Sequence, residues 1–89
     1  MYMDVYFGLD VNVEIDELED ALGEVLGDEG EVTGSGIGIK GGNIDIEFNN
    51  QSQIDDIVKA LRKFNLPLDT YYIIDKVKTN LYDDNLTTQ

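Results

Sequence analysis

Apolar and polar residues alternate along the start of the chain. Every second residue from position 3 is apolar, namely Met3, Val5, Phe7, Leu9 and Val11. A period of two is typical of a strand with one buried face, so we predict a strand over residues 2–11. The other face of this strand is expected to be exposed to solvent and to carry Tyr2, Asp4 and Tyr6.

A helical period replaces the alternation from Ile15 onward. One stripe of a helix would contain Ile15, Leu18, Leu22, Val25 and Leu26. This spacing predicts an amphipathic helix over residues 16–26, with Asp16 or a neighbour as the N-cap. Gly27 and Gly30 are the expected terminators of the helix.

Residues 31–48 are predicted to form a β-hairpin that turns at residues 41–43. The second strand alternates apolar and acidic positions in the order Ile44, Asp45, Ile46, Glu47 and Phe48. Val32 is out of phase with Ile37, so we expect a bulge within the glycine-rich stretch 34–38.

A second helix and a last strand complete the predicted pattern. The helical stripe contains Ile54, Ile57, Val58, Leu61 and Phe64. Ser52 and Asp55 have the spacing of a capping box, and cations near the end of the helix favour its dipole. Residues 70–81 are rich in Tyr and Ile, and we interpret them as one strand with Tyr72 on its exposed face.

The element order βαββαβ predicts an α+β fold of the ferredoxin-like sandwich type. Its compact form is a four-stranded antiparallel sheet in the order 4-1-3-2 with both helices on one face. We expect a single domain over residues 1–82 and a polar tail over residues 83–89. The uncovered sheet face is expected to present Tyr2, Asp4, Tyr6, Asp45 and Glu47.

Charge is both strong and uneven along the chain. The sequence has 19 acidic and 6 basic residues, a net charge of −13, and no cation before Lys40. Such a charge opposes direct binding to nucleic acid or anionic membrane and favours a basic protein partner. The first candidates for binding that partner are the acids on and after the first helix, Asp16, Glu17, Asp20, Glu24, Asp28 and Glu31. The second candidates are the residues of the uncovered sheet face.

A glycine motif resembles a dinucleotide site. Gly36, Gly38 and Gly41 match the spacing of the dinucleotide fingerprint, but strands are predicted on both sides, whereas a phosphate site needs a helix after the glycines. The hairpin interpretation is therefore preferred.

A calcium loop is suggested in part by Asp10, Asn12, Glu14 and Asp16. Position six of that loop is Ile15 rather than Gly, and position twelve is Ala21 rather than Glu, so we expect no metal. The chain has no His and no Cys, and we find no nucleophile beside a base. We therefore expect neither a cofactor nor an enzyme.

The absence of cysteine suits a reducing compartment. The first ten residues lack the basic start of a signal peptide, and no apolar run reaches transmembrane length. We therefore expect a cytoplasmic protein.

Two stretches resemble a family of small bacterial proteins. Residues 41–47 (GGNIDIE), followed by a helix with residues 57–67 (IVKALRKFNLP), are similar to immunity proteins of bacterial polymorphic toxin and contact-dependent inhibition systems. The resemblance implies a stoichiometric inhibitor of a nuclease or another basic toxin, monomeric alone and heterodimeric with its partner. A phage-encoded inhibitor is a related alternative. An ACT-like small-molecule-binding or self-associating regulatory domain is the alternative from another class.

Overall fold

The described residues form two α-helices, a short 3₁₀ turn and one antiparallel sheet. A computed structural model describes residues 1–8, 15–38, 41–64 and 66–83. The elements in chain order are β1 (Tyr2–Phe7), α1 (Ile15–Leu26), a 3₁₀ turn (Gly27–Glu29), β2 (Gly30–Gly38), β3 (Gly41–Phe48), α2 (Gln53–Arg62), β4 (Tyr71–Ile74) and β5 (Val77–Asn80). The predicted α+β class is confirmed. Residues 10–14 of the partial calcium-loop match, Lys40 and residues 84–89 of the predicted tail lie outside the described residues.

The sheet has five strands, not the four that we predicted. Its order is β2-β3-β1-β4-β5, so the predicted order 4-1-3-2 is present and one further strand lies beside β4. The extra strand arises because residues 70–81 fold back on themselves at Asp75 and Lys76, which have φ values of 50° and 69°. Two consecutive residues with positive φ form the type I′ turn that suits a tight hairpin.

The core lies between the helices and one sheet face. Met3 pairs with Ile46, and Val5 pairs with Ile44, across β1 and β3, so the alternating apolar residues of both strands share a face. The largest fully buried side chains are Phe48, Met3, Leu18, Leu22, Ile44, Ile46, Ile57, Leu61, Leu81, Val5 and Thr70. Both helices contribute to this cluster and therefore cover the same face, which we call the helix face. The opposite face, here the open face, has no helix of the described residues over it.

The predicted N-caps of the two helices have different outcomes. Asp16 lies in the first turn of α1, because the helix begins at Ile15; Asp16 itself is therefore not the N-cap, and its neighbour at position 14 lies outside the described residues. Ser52 makes no capping hydrogen bond. Instead, the Oε1 atom of Gln53 accepts hydrogen bonds from the backbone N–H groups of Asn49 (3.2 Å) and Asn50 (2.8 Å). The predicted end of α1 is confirmed, since Gly27 has a φ of 56°.

Strand β2 contains a bulge, but the bulge lies before the predicted stretch 34–38 and not within it. The register against β3 shifts between Val32 and Gly34. Because of this extra residue, Val32 and Ile37 both lie on the helix side of β2, although they are out of phase in the sequence. Glu31 lies before the bulge and pairs with Glu47, which places it on the open face.

Candidate functional site

The open face brings the second predicted group together. Strand pairing sets Tyr2 opposite Glu47, Asp4 opposite Asp45 and Tyr6 opposite Asn43. Directly opposed residues of an antiparallel pair point to the same face, with Cβ atoms about 5 Å apart. Tyr2, Asp4, Tyr6, Asp45 and Glu47 therefore form one contiguous surface, as the alternation in β1 and β3 predicts.

Like charges face each other twice on this surface. Asp4 lies opposite Asp45 across β1 and β3, and Glu31 lies opposite Glu47 across β2 and β3. Like charges directly opposite each other destabilise a sheet, by an amount within the range of about 0.2–1 kcal/mol that cross-strand pairs contribute. The two pairs are neighbours, because Asp45 and Glu47 are two residues apart on β3. The open face thus concentrates four carboxyl groups where sheet stability disfavours them.

The Asp4 carboxyl group shows the effect of this crowding. Its pKa is raised above the ordinary value of 3.8, first because partial burial disfavours the charged form, then through a hydrogen bond with the Asp45 carboxyl group and the charge of that group. Two carboxylates this close repel each other when both are ionised. A cation placed between them would relieve that repulsion.

The position of Asp45 is fixed by its neighbours on β2 and β3. The Asn43 side chain donates a long hydrogen bond of 3.5 Å to Asp45 Oδ1. Gly34 lies opposite Asp45, and a Cβ atom on Gly34 would lie 3.4 Å from Asp45 Oδ2. On its β2 side, the carboxylate therefore lies over bare backbone at Gly34.

An aromatic pair borders the acidic group. The rings of Tyr6 and Tyr71 stack with centroids 5.3 Å apart, and Lys78 Nζ lies 4.2 Å from the centroid of Tyr71, a cation–π contact. The pKa of the Tyr6 hydroxyl is raised, first by burial and then by the charges of Asp4 and Asp45. The acidic surface is thus bounded by aromatic rings and a cation on the β4 and β5 side.

The sequence interpretation selected the wrong tyrosine for this border. Tyr72 pairs with Val5, which places it on the helix face, where it packs against the core. Tyr71 pairs with Tyr6 and takes the open-face position. The run Tyr71-Tyr72-Ile73-Ile74 does not alternate in polarity, so its sequence gives no signal for the phase. Lys78 was missed because the hairpin that brings it beside Tyr71 was not predicted.

The first predicted group is divided by the fold. Asp16, Glu17, Asp20 and Glu24 are exposed on α1, and Asp28 is exposed in the 3₁₀ turn that follows. Helix α1 lies on the helix face, so these acids and the open-face acids occupy opposite sides of the sheet. Glu31 was grouped with the helix acids but belongs to the open face through its pairing with Glu47.

Other kinds of site receive little support from the geometry. The part of the chain that the structure describes has no cluster of three or more His, Cys, Asp or Glu side chains suited to a metal ion. The glycine motif leads into strand β3 and not into a helix. A depression of about 670 Å³ at the end of the sheet is bordered by Tyr6, Phe7, Asn43, Asp69 and Tyr71 together with glycines. Within the described ranges, neither helix has the length and apolar character of a membrane span.

Comparison with protein-family models, with curated proteins and with solved structures finds no match to this chain.

Proposed function

We propose that this protein is a non-catalytic inhibitor that binds and neutralises a basic toxin through its acidic surface, in the manner of an immunity protein or antitoxin. A nuclease is the preferred toxin class. The active site of a nuclease binds phosphates through cationic side chains, and the same side chains attract carboxylates.

The observation that supports this proposal is the pair of like-charge contacts on the open face. Asp4 opposes Asp45, and Glu31 opposes Glu47. Residues that lower the stability of the free protein are expected where another function selects them. Lys or Arg side chains of a partner would relieve both repulsions on binding. This relief would add to the affinity of the complex.

The aromatic residues of the open face add contact area to the charge. Tyr2 is 65% exposed and lies opposite Glu47. Exposed tyrosine is enriched at protein interfaces, because its ring supplies buried area and its hydroxyl supplies a hydrogen bond. We assign the open face to the contact itself. The α1 acids lie on the other side of the sheet, and their field would speed the approach of a basic partner.

Co-expression with the product of the adjacent upstream gene tests the proposal. We expect the protein to restore growth of cells that express this product and to form a one-to-one complex that salt weakens. The complex is measured by light scattering during size exclusion. A free protein that is dimeric, with no rescue of growth and no complex, would contradict the proposal and favour the ACT-like alternative.

A pair of matched variants tests the role of the charges. Asp45→Asn with Glu47→Gln removes two charges from the open face, whereas Asp55→Asn with Asp56→Asn removes two exposed charges from α2. We expect the first variant to rescue growth less well and the second to rescue it as the wild type does. Equal rescue by both would contradict the assignment to the open face.

A further inference from the structure

The edge of the sheet at β2 has unusual features for an edge strand. It spans Gly30–Gly38, and β3 is its only neighbour among the described strands. Proteins commonly protect such edges with Lys, Pro or a short strand length, because unpaired backbone groups recruit another strand. β2 has neither Lys nor Pro, and within residues 30–38 the features that protect an edge are Glu31 and the bulge after Val32.

The pairing of β3 shows which N–H and C=O groups of β2 point away from the sheet. The backbone N–H of Phe48 donates to Met1 O at 2.9 Å, and the terminal amino group of Met1 donates to Phe48 O at 2.7 Å. Phe48 therefore faces β1, and in an antiparallel sheet every second residue of β3 does the same. Ser35 and Ile37 lie opposite two of these residues, Ile44 and Gly42. Their N–H and C=O groups consequently point away from β3, toward the outer side of the edge.

The two sides of this edge differ in chemistry. On the helix side, Val32 is half-buried and Ile37 is 67% exposed, which leaves two apolar patches beside the outer backbone groups. Between them, the Ser35 hydroxyl donates a hydrogen bond of 2.7 Å to Glu19 Oε1 of α1. On the open side, Glu31 projects from β2 itself, and the Asp45 carboxylate leans over Gly34. Because Gly34 has no side chain, a long cationic side chain from an added strand could cross β2 and reach Asp45.

We infer that the β2 edge is the docking site for an extended segment of the basic partner, which adds to the sheet as a sixth strand. This inference rests on the proposed function for the sign of the partner's charge. The segment alternates cationic and apolar residues, with the cations on the open side near Glu31 and Asp45 and the apolar residues beside Val32 and Ile37. A second copy of this chain is a poor occupant, because its own β2 has no cation and would place another Glu31 in the acidic surface.

A synthetic peptide that alternates Arg and Val is the probe for this site. We expect it to bind the full chain and to slow hydrogen exchange of the Ser35 and Ile37 amides, measured by NMR. A peptide with Glu in place of Arg is the charge control. A peptide with the same charge but N-methyl groups on alternate residues is the control for backbone pairing, and we expect both controls to bind at least about tenfold more weakly. Equal binding of the N-methylated peptide, or no binding of the Arg peptide, would overturn the inference.

Two substitutions at one exposed residue separate backbone pairing from side-chain loss. Ile37→Pro removes the outward N–H, which an edge strand tolerates, whereas Ile37→Ala removes the side chain and keeps the N–H. We expect Ile37→Pro to bind the Arg peptide about tenfold more weakly than Ile37→Ala does. If both variants bind the peptide equally, the strand-addition model is wrong. If Ile37→Pro and Ile37→Ala bind the peptide equally and both rescue growth against the toxin, only the strand-addition model is contradicted. If the wild type does not rescue growth, the proposed function is contradicted.

Discussion

Helix α1 and the open sheet face are both acidic, but the two regions arrange their charges differently. On α1, Asp16, Asp20 and Glu24 are exposed and separated by four residues, a spacing at which like charges destabilise a helix by about 0.2–0.5 kcal/mol per pair. On the open face, Asp4 and Asp45 oppose each other directly, and partial burial together with the Asp45 carboxyl group raises the pKa of Asp4. The helix acids remain in water, whereas the Asp4 carboxyl group is partly removed from it.

Because of this difference, we assign the two regions different roles in binding: the α1 acids attract the partner from a distance, and the open face contacts it. Charges that remain in water act at long range, are screened by salt and chiefly change the rate of association. Carboxyl groups that are already crowded and partly desolvated gain more from a cation that arrives between them. We therefore expect the open face to determine how long the complex lasts and α1 to influence how quickly it forms.

The largest expected effect compares two triple variants in binding to the toxin. Asp4→Asn, Asp45→Asn and Glu47→Gln together should lower affinity by about 100-fold, mainly through faster dissociation, because central contacts dominate the energy of an interface. Asp16→Asn, Asp20→Asn and Glu24→Gln together should lower it by less than about tenfold, mainly through slower association. Surface plasmon resonance measures both rates. A larger loss in the α1 variant would reverse the comparison.

A smaller effect is expected on the stability of the free protein. Asp45→Lys replaces a repulsion across β1 and β3 with an attraction and should raise the free energy of unfolding by about 1 kcal/mol. Asp20→Lys, between Asp16 and Glu24 on α1, should raise it by about half as much. Urea unfolding of the two variants provides the measurement. Destabilisation by Asp45→Lys would show that the opposed carboxyl groups do not repel each other.

The smallest effect is a change in the dependence of stability on pH. The pKa of Asp4 in the folded protein is raised above 3.8, so the folded state binds this proton more tightly than the unfolded state does. Asp4 therefore lowers stability above its raised pKa, and stability is regained as the pH falls from that value toward 3.8. The stabilisation by Asp4→Asn should be greatest at neutral pH and should decrease on acidification.

Urea unfolding at a series of pH values measures this change. Asp16→Asn is the control for the loss of one carboxyl charge, because Asp16 is exposed on α1. If the free energies of unfolding of Asp4→Asn and the wild type differ by the same amount at every pH, the pKa of Asp4 is not raised in the folded protein.

The sequence predicts the elements whose polarity has a clear period. Alternation in β1 and β3 correctly places Asp4, Asp45 and Glu47 on one face. Helical spacing gives the apolar stripes of α1 and α2, except that Val25 is 39% exposed. The register across strands was not predicted, because alternation determines a face but not an opposing residue. The opposition of Asp4 to Asp45 therefore became visible only in the structure.

The C-terminal hairpin shows why the rest was not predicted. Asp75 and Lys76 occupy the two turn positions with positive φ, where Gly or Asn usually signals a type I′ turn. Without that signal, residues 70–81 were predicted as a single strand, and Tyr72 was assigned to the wrong face. Glu31 was misplaced for a similar reason, because its face depends on where the β2 bulge falls.

The most direct test of the central claim maps the contact surface on the protein itself. Backbone amide shifts of the labelled protein would be followed by NMR as the product of the adjacent upstream gene is added. We predict that the largest changes occur at Asp4, Asp45 and Glu47 on the open face and at Ser35 and Ile37 on the β2 edge, with smaller changes along α1. Changes confined to α1, with the amides of Asp4 and Asp45 unaffected, would contradict the assignment of the open face as the binding surface.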